Sequence, residues 1–246
     1  MRRFFIAEPP ASETVCLRGD EAHHVRRVLR LKLGDELLLF DAAGAAYRCE
    51  LTELGADSVT ALIKEAYAAE TAGSAVILLQ AVLKSPQRMD FIVQKSTELG
   101  VTRIIPFYST RCIPRWDGAK GALRQQHWQQ IAIAAVKQSG VRRVPAIDDP
   151  GDFQSALIAA DGLPGKIVLW EGERSTGLRD LLKQRQGAAG GIAFAVGPEG
   201  GFTEEEIGLA RKRGFITAGL GRAILRAETA PLAVLTIIGY ESGTIG

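Results

Sequence analysis

The sequence predicts two parts of different fold class, a small β-barrel followed by an α/β domain built on a mostly parallel sheet. Short segments that alternate between apolar and polar residues, separated by turn signals, occupy the first 70 residues. A continuous apolar run over 75–83, typical of a strand buried on both faces, opens the remainder. Strand and helix patterns then alternate to the end of the chain, which indicates a parallel sheet covered by helices.

The barrel part contains three strand patterns and one short helix pattern, at 37–40, 45–51, 58–63 and 21–30. The first strand follows a Gly34-Asp35 turn, and the other two alternate with a period close to two. The stretch 68–74 is small, polar and without either pattern. We therefore place the domain boundary there and assign 1–70 to the barrel and 74–246 to the second domain.

The second domain is predicted to contain five strands, at 75–83, 101–107, 166–170, 192–196 and 215–220. Helices are expected between them at 88–99, 123–138, 178–185 and 203–214, with a last helix from about Thr229. Thr203 and Glu206 have the spacing of a capping box, which marks the start of a helix. Pro231 is tolerated in the first turn of the last helix.

Charge is distributed unevenly along a chain whose formal net charge is only +2. Residues 1–70 carry 9 basic and 12 acidic side chains, whereas 84–143 carry 11 basic and 3 acidic ones. A positive field of this size suits a polyanionic partner, although an ordinary solvated basic face has the same composition.

Cysteine and histidine usage argues against metal chemistry and secretion. The three cysteines, Cys16, Cys49 and Cys112, are far apart and form no CxxC pair, and the three histidines complete no zinc pattern. No closely spaced cysteine triplet is available for an iron–sulfur radical enzyme. We expect a reducing, cytoplasmic setting, no signal peptide and no transmembrane helix.

Two glycine-rich loops follow predicted strands, and the ends of parallel strands are where α/β sheets bind ligands. The loop Gly197-Pro-Glu-Gly-Gly-Phe202 allows backbone groups to approach a ligand closely, although it could also be only a sharp strand-to-helix turn. The segment Leu220-Gly-Arg-Ala-Ile-Leu225, together with Gly219, gives a partial dinucleotide fingerprint without its third small residue and without its acidic partner. It suits a flat, partly apolar ligand such as an adenine ring.

Charged residues adjoin both loops. Arg226 and Glu228 directly follow the second loop and could orient a polar substrate or stabilise an anion, or could simply form an ion pair at a helix start. The turn 171–174, which follows a predicted strand, is interpreted as a surface turn.

Several segments occur together in an order that resembles one family. They are Arg3-Phe4-Phe5, His24-Val25 to Arg30, Gly34-Asp35, Phe91 to Gly100, Gly197 to Phe202 with Glu206-Ile207, and Leu220 to Ala230. The chain resembles the RsmE family of 16S ribosomal RNA uridine-N3 methyltransferases, within the SPOUT superfamily, over nearly its whole length.

This resemblance implies a PUA-like N-terminal barrel that helps to hold RNA and a SPOUT-type α/β domain that ends in a trefoil knot. It also implies a homodimer that acts on 16S rRNA within the 30S subunit, with S-adenosylmethionine as cofactor. The residues implied to hold the cofactor are Leu169, Gly197, Pro198, Glu199, Gly201, Leu220, Gly221, Ile224 and Leu225.

Methylation at N3 of uracil would need a group to stabilise negative charge and a group to accept the N3 proton. We assign the first role to Arg226 and the second to Glu199 or Glu228. N3 lies on the Watson–Crick edge, so the base must be unpaired or extruded to react. The basic residues expected to contact RNA are Arg2, Arg26, Arg27, Arg30, Arg111, Arg115, Arg142 and Arg143.

Three other functions remain as alternatives. Related knotted enzymes methylate the ribose 2′-O of RNA, and this is the main competitor. A catalytically idle RNA-binding protein would keep the fold without using the glycine loops. A nucleotide-dependent oxidoreductase is disfavoured by the incomplete fingerprint.

Overall fold

The protein, described here from a computed structural model, forms two compact units. The structure describes residues 1–69, 73–113, 115–116, 118–141, 143–184 and 190–245. The first unit comprises Met1–Gly73 and Val136–Val144, and the second comprises Ser74–Ala135 and Pro145–Gly246.

The first unit is built on a five-stranded sheet with the strand order β1-β3-β4-β5-β2. Its strands are β1 (Arg2–Ile6), β2 (Thr14–Arg18), β3 (Glu36–Asp41), β4 (Ala46–Leu54) and β5 (Ser58–Tyr67). β1 pairs with β3 in parallel, and the other neighbours are antiparallel. The three predicted strands correspond to β3, β4 and β5, whereas β1 and β2 were not predicted.

Side chains at every second position of these strands form the core of the unit. Leu37 and Leu39 of β3 pack with Leu51 of β4 and with Val59 and Ala61 of β5, all of them buried. This alternation is the expected pattern for a sheet with one face on the core.

The predicted helix at 21–30 is instead two short segments. Helix α1 covers Gly19–His23, and a π-helical turn covers His24–Val28. The Leu29 amide donates to the His24 carbonyl across five residues, at 2.9 Å, which is the π-helical pattern. Arg30 has a φ of 52°, in the left-handed region, so helical backbone ends before it.

The second unit contains a parallel sheet with the strand order β12-β10-β11-β6-β7-β8, and β9 also pairs with β7. Its strands are β6 (Val76–Ala81), β7 (Arg103–Tyr108), β8 (Ala146–Ile147), β9 (Gly151–Asp152), β10 (Gly165–Leu169), β11 (Ile192–Val196) and β12 (Ile216–Ala218). Every pairing in this sheet is parallel, which confirms the predicted fold class. All five residues of β11 are buried, as expected for a strand covered on both faces.

Helices connect these strands. They are α2 (Pro86–Glu98), α3 (Gly118–Ser139), α4 (Phe153–Ile158), α5 (Leu178–Gln184), α6 (Glu204–Lys212) and α7 (Ala230–Glu241). The predicted capping box is confirmed, because the Thr203 side chain and the Glu206 side chain each bond the other's backbone amide. Helix α4 was not predicted, and residue 185 of the helix predicted at 178–185 lies outside the described residues.

Candidate active site

A cleft of about 380 Å³ lies at the C-terminal edge of the parallel sheet. The last residues of three neighbouring strands, Leu169, Val196 and Ala218, contribute to its lining. The rest comes mainly from the loops that follow these strands. This is the place where parallel α/β sheets bind ligands, because loops from adjacent strands converge there.

The structure brings together all of the residues that the sequence assigned to cofactor binding and catalysis. They line this one cleft: Leu169, Gly197, Pro198, Glu199, Gly201, Leu220, Gly221, Ile224, Leu225, Arg226 and Glu228. The turn 171–174 was interpreted as a surface turn, but Glu171 and Arg174 also belong to the lining. The segment is thus an exposed surface turn, as interpreted, that also contributes to the cleft.

Close packing in the Gly197–Phe202 loop leaves little room for side chains. A Cβ added to Gly197 would lie 3.1 Å from the Phe202 ring. Gly201 has a φ of 69°, and a Cβ there would lie 2.9 Å from a carboxylate oxygen of Glu171. Glycine is favoured at Gly201 by its left-handed backbone, whereas the Glu171 carboxylate ends a flexible, exposed side chain that can move aside.

The segment after β7 holds this glycine loop in place. The Arg111 guanidinium donates to the Gly200 carbonyl at 2.7 Å, and the Thr110 amide donates to Oε1 of Glu206 at 2.8 Å. Glu206 is buried, and its other oxygen accepts from the Thr203 amide. Arg111, predicted from the sequence to contact RNA, thus bonds a carbonyl of the Gly197–Phe202 loop.

The chain at Ala218–Gly219 is hydrogen-bonded on both of its sides. Trp170 donates its amide to the Ala218 carbonyl at 3.1 Å, and Leu178 donates to the Gly219 carbonyl at 3.2 Å. The Gly219 amide donates to the Thr176 carbonyl at 2.9 Å. Residues 171–175, which we call the strap, connect Trp170, which bonds Ala218 on one side, to Thr176, which bonds Gly219 on the other side.

The Glu173 carboxylate organises the strap. It accepts hydrogen bonds from the Ser175 hydroxyl (2.6 Å), the Ser175 amide (2.8 Å), the Thr176 amide (3.1 Å) and the Thr217 hydroxyl (2.7 Å). These donors, the Ser175 hydroxyl foremost, lower the pKa of Glu173 from its ordinary 4.5 to about 2.

Replacing Glu173 with glutamine is expected to lower thermal stability in a pH-dependent way. Because the folded-state pKa is depressed, the stabilisation is fully present above pH 4.5 and is lost as the pH falls from there towards about 2. The difference in Tm between Glu173→Gln and the unmodified protein should be largest near neutral pH and shrink below pH 4.5. Differential scanning fluorimetry at pH 7 and pH 3 measures it, with Glu241→Gln at the exposed end of α7 as the control. An equal difference at both pH values would contradict the assignment.

A cluster of four charged side chains borders the cleft. Arg88, from the first turn of α2, lies 3.5 Å from Glu199 through Nη1 and 3.6 Å from Glu228 through Nε. Nη1 of Arg226 lies 3.9 Å from the same oxygen of Glu228. The other carboxylate oxygen of Glu228 is buried and has no hydrogen-bond partner among the described residues.

Sequence reasoning missed Arg88. A signal was present, because α2 directly follows β6, and the first turn of a helix after a parallel strand lies at the ligand-binding edge. Phe202, Trp170 and Arg222, which also line the cleft, were not assigned to a site either.

The arginines expected to contact RNA are distributed over both units. Arg2, Arg27, Arg30 and Arg143 are exposed in the first unit, where the half-buried Arg26 donates to the Ala56 carbonyl. Arg111 and Arg115 are exposed in the second unit, and residue 142 lies outside the described residues. Their contact with RNA stays a prediction.

No group of three or more histidine, cysteine, aspartate or glutamate side chains that could hold a metal ion occurs within the described parts of the chain. Among those residues, too, no helix is both long and apolar enough to span a membrane.

Comparisons with known families and structures match both units. Residues 69–239 match the model of an RNA methyltransferase domain, and residues 17–64 match that of an RNA methyltransferase PUA domain. The chain is similar to the ribosomal RNA small subunit methyltransferase E of Bacillus subtilis, with 31% identity over 98% of this chain and 97% of the relative.

Solved structures are similar over the whole length. The ribosomal RNA small subunit methyltransferase E of Neisseria gonorrhoeae, bound to S-adenosylmethionine, is 36% identical with a TM-score of 0.85, covering 98% of this chain and 97% of that one. A methyltransferase of Legionella pneumophila, also with bound cofactor, is 29% identical with a TM-score of 0.85, covering 97% and 96%. A family model that matches most of the chain, together with these full-length similarities, shows that the chain belongs to the ribosomal RNA small subunit methyltransferase E family.

Proposed function

We propose that this protein transfers a methyl group from S-adenosylmethionine to N3 of a uridine in the 16S ribosomal RNA of the small ribosomal subunit. The observation that carries the proposal is the single cleft at the sheet edge, which gathers every residue implied for cofactor binding and catalysis. Membership of the family and the cofactor bound to the Neisseria relative support the reaction class.

The residues of the cleft fit S-adenosylmethionine. Leu169, Leu220 and Leu225 supply apolar surface for an adenine ring, and the glycine loops let backbone groups reach its polar edges. Pro198, Glu199, Gly197, Gly201, Gly221 and Ile224 complete the set that would hold the cofactor. Bound there, the cofactor supplies an electrophilic methyl group on a sulfonium.

The charged cluster would handle the acid–base chemistry of the base. N3 of uracil carries a proton, so a nucleophilic N3 requires a proton acceptor and stabilisation of the charge left on the ring. Glu228 and Glu199 are the carboxylates of this charged cluster, and Arg226 supplies a guanidinium, 79% exposed, for a uracil oxygen.

RNA is held by the basic surfaces of both units. A reacting N3 must leave its base pair, and backbone contacts elsewhere help to hold the RNA while the base is extruded. The PUA-like unit with Arg2, Arg26, Arg27 and Arg30, and the arginines at 111, 115 and 143, supply positive charge for this purpose. We place the reaction on the 30S subunit in the cytoplasm.

The strap supports the trefoil knot that the family resemblance implies. Ala218–Gly219 is bonded to Trp170 on one side and to Thr176 and Leu178 on the other, with the strap connecting them. We propose that the chain passes through the strap at this point before it enters α7.

A homodimer is proposed on the exposed apolar surface of packed helices α2 and α7. Tyr240 is 70% exposed, Phe91 42% and Ile237 38%. Apolar surface of this kind on adjacent helices is a common basis for association between identical chains.

The proposed function is tested by transfer of labelled methyl from S-adenosylmethionine to 30S subunits that lack the modification, followed by nucleoside analysis. The expected result is label in 3-methyluridine. Label in a 2′-O-methyl nucleoside would establish the main alternative, ribose methylation. Cofactor binding without transfer to any ribosomal RNA would favour an idle RNA-binding protein, and binding of a nicotinamide cofactor instead would favour an oxidoreductase.

A further inference from the structure

The arrangement of Arg88, Glu228 and Arg226 has a consequence for which base the cleft accepts. Oε1 of Glu228 lies within 4 Å of both guanidiniums, 3.6 Å from Nε of Arg88 and 3.9 Å from Nη1 of Arg226. All three side chains line the cleft, and they come from two separate elements, α2 and the segment before α7.

Together, Arg88, Glu228 and Arg226 offer a hydrogen-bond donor, an acceptor and a second donor, which we call the row. A guanidinium only donates hydrogen bonds, and an ionised carboxylate only accepts them. The Watson–Crick edge of uracil has the opposite order, with the O4 acceptor, the N3–H donor and the O2 acceptor. The row is therefore complementary to uracil whichever way round the base lies.

Cytosine does not match this row. It presents an amino donor at position 4 and an acceptor at N3, so a donor would face one guanidinium and an acceptor would face the carboxylate. Guanine presents two adjacent donors and is mispaired at one guanidinium. Polar groups left unpaired in a binding site reject a near-isosteric competitor strongly.

One carboxylate oxygen of Glu228 accepts no hydrogen bond among the described residues, as expected if a donor on the substrate binds there. This atom, Oε2, is buried, although the side chain is 16% exposed. Buried acceptors without a donor are unusual in folded proteins and call for an explanation. The terminal torsion of glutamate is broad, so a small rotation presents this oxygen to a donor in the cleft.

Arg88 is held in place before any base enters. Its Nη1 lies 3.5 Å from Glu199, and Glu199 in turn accepts from the Lys84 amide at 3.3 Å. The donor that faces the base is thus anchored by a second carboxylate, which is the preorganisation expected of a selective polar site.

We propose that Arg88, with Glu228 and Arg226, reads the Watson–Crick edge of the target base and selects uracil over cytosine. The inference rests on the proposed function. In the reaction, the N3 proton passes to the Glu228 carboxylate and the N3 electron pair forms the bond to the methyl carbon. The electron pair of the breaking carbon–sulfur bond stays on the cofactor's sulfur, and the two guanidiniums stabilise the charge on the uracil oxygens.

The test compares 30S subunits that carry uridine at the target position with subunits in which that uridine is changed to cytidine. Methyl transfer is measured in single turnover at saturating S-adenosylmethionine, with nucleoside analysis for 3-methyluridine and 3-methylcytidine. Cofactor Kd is measured separately without RNA. The proteins compared are the unmodified chain, Arg88→Gln, Arg88→Lys, Glu228→Gln and, as the matched control, Arg179→Gln on α5 outside the cleft.

The unmodified protein is expected to prefer uridine by on the order of 10³-fold or more. Arg88→Gln should slow transfer to uridine by roughly 100-fold and narrow the preference, with cofactor Kd within about twofold of the unmodified value. Arg88→Lys retains a cationic donor, so it should recover part of the transfer rate and part of the preference for uridine over cytidine. This partial rescue distinguishes a role in base recognition from a folding defect. Glu228→Gln should abolish most transfer to uridine while it still binds cofactor, and Arg179→Gln should change nothing.

Two results would overturn the inference while leaving the proposed function intact. One is 3-methyluridine formation by Arg88→Gln with an unchanged preference for uridine. The other is a large rise in cofactor Kd for Arg88→Gln with the preference kept, which would make Arg88 a ligand of the cofactor's carboxylate. Absence of 3-methyluridine with the unmodified protein would instead contradict the proposed function itself.

Discussion

Replacing Gly219 with alanine is expected to abolish measurable cofactor binding and to lower thermal stability. A Cβ at this position would lie 2.8 Å from the Glu173 carbonyl oxygen and 3.9 Å from that of Thr176. Both contacts are to backbone atoms of the strap or of Thr176, the residue next to it. The Gly219 amide and carbonyl bond Thr176 and Leu178, so the segment cannot move away from the added Cβ without breaking these two hydrogen bonds. Overpacking of this kind costs roughly 1–3 kcal/mol, which corresponds to a fall in Tm of about 2–10 °C for a domain of this size.

The measurements are differential scanning fluorimetry and titration calorimetry with S-adenosylmethionine. Gly208→Ala is the matched control, because a Cβ at Gly208 within α6 meets no atom within 4 Å. Alanine has the higher helix propensity, so the control should keep or slightly raise the Tm. Normal cofactor affinity and an unchanged Tm for Gly219→Ala would mean that the strap can move aside and that Gly219 is not required by space.

Replacing Arg226 with alanine is expected to reduce kcat by roughly 100- to 1,000-fold, the usual cost of removing a group that stabilises an anion. The guanidinium is 79% exposed at the cleft and 3.9 Å from Glu228, so the substitution removes charge without leaving a cavity in a core. Cofactor Kd should stay close to the unmodified value.

Methyl transfer to 30S subunits and cofactor titration measure the two quantities independently. Arg179→Ala, an exposed arginine of α5 outside the cleft, controls for the loss of a positive charge. If Arg226→Ala keeps the kcat and the cofactor Kd of the unmodified protein, Arg226 has no role in the reaction.

Much of the cleft could be predicted because its chemistry is local in sequence. The loops at Gly197–Phe202 and Leu220–Leu225 each follow a strand, and parallel strands bring their C-terminal ends to one edge. The glycines themselves signal close packing, which the structure shows at Gly197 and Gly201. The knot and the homodimer came from the family resemblance, and sequence periodicity contains no information on either.

Other features could not be predicted because they depend on partners distant in the chain. The Arg88–Glu228 contact joins residues 140 positions apart, and no local pattern on α2 indicates it. β1 was missed because a five-residue strand that pairs in parallel with β3 has no hairpin turn beside it. The π-helical turn at His24–Val28 has the same apolar spacing as an ordinary helix, so composition alone predicts the commoner form.

The order of strands in the parallel sheet also determines when during biosynthesis the cleft can exist. Val76 of β6 pairs with Ile192 of β11, 116 positions later, and β10 gains its second neighbour only when β12 has been made. At ordinary translation rates the wait between β6 and β11 is on the order of 10 s, during which one edge of a mostly apolar strand has no partner. The nascent chain therefore emerges with its PUA-like strands complete and its methyltransferase unit open. The lining of the cleft is complete only after the segment leading into α7 has left the exit tunnel, so cofactor binding must wait until residues 220–230 have been made.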